Sequence, residues 1–138
     1  MDKFNVLLVD DETEFLSPLV KRLGRRNLNV RTANSGEEAL SVLENSQTDV
    51  VVLDVRMPGM DGLEALREIK KRYPLIEVIM LTGHASIEVA MEGMERGAFD
   101  YLMKPMNIDE LCYKLQDAFQ NKAIQEKKIK DLEAKDGK

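Results

Sequence analysis

The chain has 138 residues but only one cysteine and one histidine. A lone Cys112 permits no internal disulfide, and His84 alone leaves no Cys/His set for a structural zinc. Cys112 is therefore read as a small helix residue. No apolar run approaches the ~18–20 residues that a bilayer span requires, so no membrane partner is expected. Met1-Asp2-Lys3 passes straight into a strand pattern without the apolar stretch of a secretory leader, which makes a cytoplasmic location the expectation. A basic surplus is lacking too: the net charge is −5 and the pI near 5.0, which argues against a direct nucleic-acid surface. Lys21, Arg22, Arg25 and Arg26 form the only early basic cluster, read as solvation of a helix end. Gly-rich phosphate loops are missing as well, since neither G-x-G-x-x-G nor G-x-x-x-x-G-K occurs.

What is present fits one soluble globular domain, with 43% hydrophobic and 33% charged residues at a length that supports a real core. Val50 to Leu53 is a continuous apolar run, three of its four residues β-branched, and it reads as a strand buried on both faces. It delivers Asp54 to the strand's carboxyl end, just before the Pro58-Gly59 turn. Ligands of open α/β sheets bind outside such ends. By itself Asp54 leaves two readings open, a chemical carboxylate or an Asp that merely opens a loop.

The same unit recurs along the chain. Phe4 to Val9 is a strand that ends in Asp10-Asp11-Glu12. Phe15, Leu16, Leu19, Val20 and Leu23 follow at helical spacing, with Gly24 as the expected stop. Pro18 lies inside that helix and predicts a late start or a kink. Leu28 to Ala33 is a second strand, and Ser35 caps a helix anchored by Leu40 and Leu43. A third helix follows Gly62, with Leu63, Leu66 and Ile69 on one face and Tyr73-Pro74 closing it. Ile76 to Leu81 is the fourth strand, leading to Thr82-Gly83-His84. A helix with Ile87, Ala90, Met91 and Met94 stops at Gly97, its methionines read as packing. The fifth strand spans Ala98 to Met103 and precedes Lys104-Pro105. Five alternations predict a doubly wound, flavodoxin-like five-stranded parallel sheet with five helices.

The last helix begins near Asn107 and is expected to run past Leu132. Ile108, Leu111, Leu115 and Ala118 keep a three-four spacing whose phase continues through Lys122, Gln125, Ile129 and Leu132. Its first half should pack on the sheet. For the Lys- and Glu-rich second half, a solvated tail, a linker and a weak coiled-coil seam all stand.

The ends of strands one, three, four and five together offer Asp10 with Asp11, Asp54, Thr82 and Lys104. Clustered carboxylates repel, at about 4 kcal/mol per pair at 4 Å and an effective dielectric of 20, unless a hard cation joins them. Magnesium suits such a set, and a carboxylate could then attack phosphorus while a lysine and a hydroxyl stabilise the phosphoryl oxygens.

Four segments in order, Val9-Asp10-Asp11, Leu53-Asp54-Val55-Arg56-Met57-Pro58-Gly59-Met60-Asp61-Gly62, Leu81-Thr82-Gly83-His84 and Tyr101-Leu102-Met103-Lys104-Pro105, resemble a response-regulator receiver domain of two-component signalling. The resemblance covers about residues 4 to 120. Around Arg56 and His84 it is closest to nitrogen-regulator receivers that precede ATPase and DNA-binding domains. It implies strand order 2-1-3-4-5, Asp54 as phosphoacceptor, and Mg2+ held by Asp10, Asp11, Asp54 and the backbone carbonyl of Arg56. It also implies that Thr82 and Lys104 meet the phosphoryl group, that Thr82 and Tyr101 form the switch, and that Lys104-Pro105 is cis. Tyr101 also reads as plain strand packing, and His84 as a loop residue and not a base.

The expectation is a phosphorylation-dependent switch fed by a sensor histidine kinase, with residues 1–121 as receiver and 122–138 as helical extension or linker. Output would come from a downstream effector protein, an output domain, or a homodimer through the fourth helix, fifth strand and last helix. Met91, Met94, Tyr101, Ile108 and Leu111 are the expected residues of that face. The chain is not expected to be an enzyme beyond self-phosphorylation and slow autodephosphorylation. The alternative, a Mg-dependent phosphohydrolase of the haloacid-dehalogenase type, needs an acid two residues after the nucleophile, where Arg56 stands. A receiver fold that binds partners without phosphorylation is the third class, and the complete acid, threonine and lysine set argues against it.

Overall fold

A computed structural model describes residues 3–83 and 86–136. Strands β1 (Asn5–Val9), β2 (Asn29–Ala33), β3 (Val50–Asp54), β4 (Glu77–Thr82) and β5 (Asp100–Met103) alternate with five helices. These are α1 (Thr13–Arg25), α2 (Gly36–Asn45), α3 (Gly62–Arg72), α4 (Ile87–Glu95) and α5 (Ile108–Asp136). All strands are parallel, as the alternation of strand and helix predicts, and stand in the order β2-β1-β3-β4-β5 that the family resemblance implies.

Side chains alternate across each strand, so the sheet divides the core in two. Leu7, Val9, Val51, Leu53, Val78 and Met80 pack with Leu40, Leu66, Ile69 and Ala90 of α2, α3 and α4. Val6, Leu8, Val50, Val52, Ile79 and Leu81 face Leu16, Leu19, Leu23, Leu111 and Leu115 of α1 and α5. Cys112 is buried in this second layer, as a small helix residue should be.

Four expectations need correction. Helix α1 starts at Thr13, five residues before Pro18, and continues through it. Pro18 and Glu14 are both exposed, so the carbonyl that loses its partner faces water. The stop of α1 is not Gly24. Asn27 takes the left-handed conformation at φ 66° and the Leu28 amide turns back to the Leu23 carbonyl, an asparagine-led C-terminal cap. Leu111 is fully buried against the sheet, so it belongs to the core and not to an exposed face. Of the two α4 methionines, Met94 is half-buried whereas Met91 is exposed.

Candidate functional site

Strand register assembles the site. Val9 lies opposite Leu53 and Thr82 opposite Met103, so Asp10 and Asp54 leave the sheet side by side, with Lys104 beyond β5. The Lys104 amide donates to the Thr82 carbonyl at 2.7 Å, carrying the ladder one step past β5, and the Lys104-Pro105 peptide is cis. After Asp54 the chain must turn sharply into α3. Gly59, at φ 76°, supplies the left-handed turn, and the Met60 amide donates to Glu37 Oε1 at 3.1 Å. Gly62 then crosses directly over the strand end, where a Cβ would lie 2.6 Å from Val55 Cα.

Asp54 is 6% exposed and Asp10 1% exposed. Lys104 Nζ lies 2.9 Å from Asp10 Oδ2, 3.4 Å from Glu12 Oε1 and 4.0 Å from Asp54 Oδ1. Its ammonium also sits 4.5 Å from the centroid of the Phe15 ring, within range of a cation–π contact. One cation thus serves three acids. Burial raises the Asp54 carboxyl to about 6, with the charge of Asp10 and then Asp11 pushing the same way, while Lys104 and the Arg56 amide oppose. At Lys104 burial pulls the ammonium down, but the hydrogen bond it donates to Asp10 and the charges of Asp54, Asp10 and Glu12 outweigh it, so the net direction is up.

The carboxylate oxygens of Asp10, Asp11 and Glu12 can all lie within 4.8 Å of one another. This donor set fits Mg2+, being oxygen-only, partly solvent-facing and beside the Asp54 carboxylate, whose charge burial and acidic neighbours disfavour in the absence of a cation. Glu12 was not among the residues singled out from the sequence, although it directly follows Asp10-Asp11. Its amide donates to Asp10 Oδ1 at 3.0 Å, which turns the loop and brings its carboxylate to Lys104.

The remaining expected residues fall around this centre. The Arg56 amide points to Asp54 Oδ1 at 3.4 Å. Thr82 is fully buried and its hydroxyl donates to the Gly83 carbonyl at 2.9 Å. Tyr101 is half-buried against the α2–α4 core layer. His84 lies outside the described residues.

Residues 6–116 match the response regulator receiver domain. The chain belongs to that family. The DNA-binding transcriptional regulator NtrC of Salmonella typhimurium is 41% identical over 110 residues, 80% of this chain and 24% of that protein. The receiver is therefore similar to about a quarter of the length of that relative. The crystal structure of NtrX from Brucella abortus in complex with ADP superposes with a TM-score of 0.88 at 32% identity, over 95% of this chain and 30% of that one. A response regulator receiver domain protein from Clostridium thermocellum gives 0.85 at 35% identity, over 88% of this chain and 98% of its own. Among the described residues, no helix of this receiver is long and apolar enough to cross a membrane.

Proposed function

We propose that this receiver is a cytoplasmic phosphorylation-dependent switch in which Asp54 accepts a phosphoryl group from the phosphohistidine of a sensor histidine kinase. The observation that carries this reading is the placement of a buried Asp54 carboxylate 4.0 Å from Lys104 and beside Asp10, at the carboxyl end of the central strand. An Asp54 oxygen bonds to phosphorus as the donor's phosphorus–nitrogen bond breaks. Magnesium, held by Asp10, Asp11, Asp54 and the backbone carbonyl of Arg56, would supply the positive charge that lets an anionic carboxylate meet an anionic donor. Lys104, now bonded to Asp10, offers its ammonium to the phosphoryl oxygens, and the Thr82 hydroxyl can reach them only by giving up its bond to Gly83. That movement vacates space toward Tyr101, on β5 at the α4-β5-α5 surface, and so biases a two-state element.

Residues 1–121 act as the receiver and 122–138 as helical extension or linker. Output passes to a partner protein, to an output domain of the kind implied by the longer relatives, or to a homodimer through α4-β5-α5. The activity is self-phosphorylation with slow autodephosphorylation, without a direct nucleic-acid or membrane role. Arg56 occupies the position where a haloacid-dehalogenase-type hydrolase would need its acid.

Intact-mass measurement with a small acyl phosphate and Mg2+ tests this function. The wild type should gain one phosphoryl group, whereas Asp54→Asn, or the wild type in EDTA, should gain none. Equal labelling of Asp54→Asn overturns the assignment. Thr82→Ala should still be labelled yet lose the phosphorylation-induced change in amide exchange at α4-β5-α5. A full wild-type response in Thr82→Ala would refute the coupling.

A further inference from the structure

The long helix α5 continues in one piece past the last core residue it contributes, Ala118. Its domain-facing stripe does not end there. Phe119 stacks on the buried Phe4, ring centroids 4.4 Å apart and planes 4° from parallel. Lys122, in the heptad phase that a coiled-coil seam would use, turns to the receiver instead: Nζ lies 3.2 Å from Asp49 Oδ1 and 3.2 Å from Glu126 Oε1, and the side chain is 13% exposed.

Its partner is itself fixed. Asp49 accepts the Asn5 amide through Oδ2 at 2.8 Å, where β1 begins, and immediately precedes β3. One residue back along the helix, Asn121 donates its amide to Glu77 at the start of β4. The other Glu77 oxygen receives Lys70, whose ammonium also donates to the carbonyls of Pro74 and Ile76 at 2.8 and 3.0 Å. Aromatic stacking, an ion pair and an amide hydrogen bond thus tie residues 119–122 to the amino-terminal ends of β1, β3 and β4.

We infer that this end of the sheet clamps the root of the helical extension, so that residues 122–126, though part of the extension, move with the receiver and the arm leaves it in a fixed direction. The inference concerns the joint and does not depend on phosphoryl transfer. Partly buried charges held by hydrogen bonds are directional, and removing one partner leaves the other without compensation, so the contacts resist rotation as well as separation. Beyond Glu126 the helix continues for about 15 Å at 1.5 Å per residue, free of the body. Ile129 and Leu132 lie there, 41% and 60% exposed, on the same stripe. A rotation of α5 within the receiver would therefore reach those two side chains undamped.

The test places spin labels at Ser41→Cys and Ala134→Cys, both exposed positions, in a Cys112→Ala background diluted with unlabelled protein. Pulsed dipolar spectroscopy should give one narrow distance distribution for wild-type Lys122. Lys122→Met should at least roughly double its width, as expected when a local lock opens without global unfolding. Lys122→Arg should restore the narrow distribution. Should Lys122→Met fail to fold, Asp49→Asn, which keeps an acceptor for the Asn5 amide, carries the same expectation. Equal widths across these variants, or a broad distribution already in the wild type, would overturn the inference.

Discussion

The two ends of the sheet handle buried charge in opposite ways. At the carboxyl end, Asp10, Glu12 and Asp54 share one cation, Lys104, and Asp11 adds a fourth acid beside Asp10 and Glu12. At the amino end, Asp49, Glu77 and Glu126 meet Lys70 and Lys122, with Asn5 and Asn121 supplying further donors. The first cluster is short of positive charge and the second is nearly balanced. A surplus of acids leaves repulsion that an incoming cation relieves, so it suits a site that must respond. A matched set gains nothing from a ligand and suits a joint.

Removing each lysine should expose the difference most strongly. In EDTA, Lys104→Met leaves the nearly inaccessible Asp10 without its close cation and should destabilise the fold by about 3 kcal/mol. Mg2+ should return more stability to that variant than to the wild type. Urea unfolding with and without Mg2+ measures both, and an equal metal increment in the two proteins would contradict the charge-deficit account.

The pH dependence should also separate the two ends. A carboxyl whose pKa rises on folding, as that of Asp54 does from 3.8 to about 6, holds its proton more tightly in the folded state. Its contribution to stability is fully present below pH 3.8 and is lost as pH rises through about 6, up to about 3 kcal/mol in the metal-free protein. Asp54→Asn removes that loss, so its stability relative to wild type should climb across this window and level off above it. A relative stability independent of pH would show that Asp54 is not strained.

The smallest effect belongs to the amino end. Lys122→Met should lower stability by only about 1 kcal/mol, because Asp49 keeps the Asn5 amide and α5 keeps its apolar anchors. The change should be insensitive to Mg2+. Thermal unfolding with and without the metal checks it, and a metal-dependent loss would mean that the two ends are coupled.

Much of the candidate site was legible in the chain because each of its acids, its threonine and its lysine follows a short apolar strand. Asp10 and Asp54, and then Thr82 and Lys104, become neighbours once parallel register is assumed. Leu111 and Lys122 were harder. Helical spacing placed both on one stripe, but it could not say that the sheet covers Leu111 completely, nor that Asp49 stands opposite Lys122. Asn27 was missed because left-handed caps favour glycine, and Gly24 lay nearby. Glu12 was passed over because a third consecutive acid reads as loop solvation until the Asp10 carboxylate bends the loop toward Lys104.

The sequence by itself determined the alternation of strand and helix and which polar residues stand at strand ends, because periodicity and turn chemistry act within a few residues. Tertiary structure alone decided how many acids share Lys104, how completely the sheet covers Leu111, and that α5 is tied down beyond its last apolar contact. Those outcomes depend on what lies across space from each group, 94 residues away for Asp10 and Lys104 and 73 for Asp49 and Lys122. Burial sets their strength, and no local pattern encodes it.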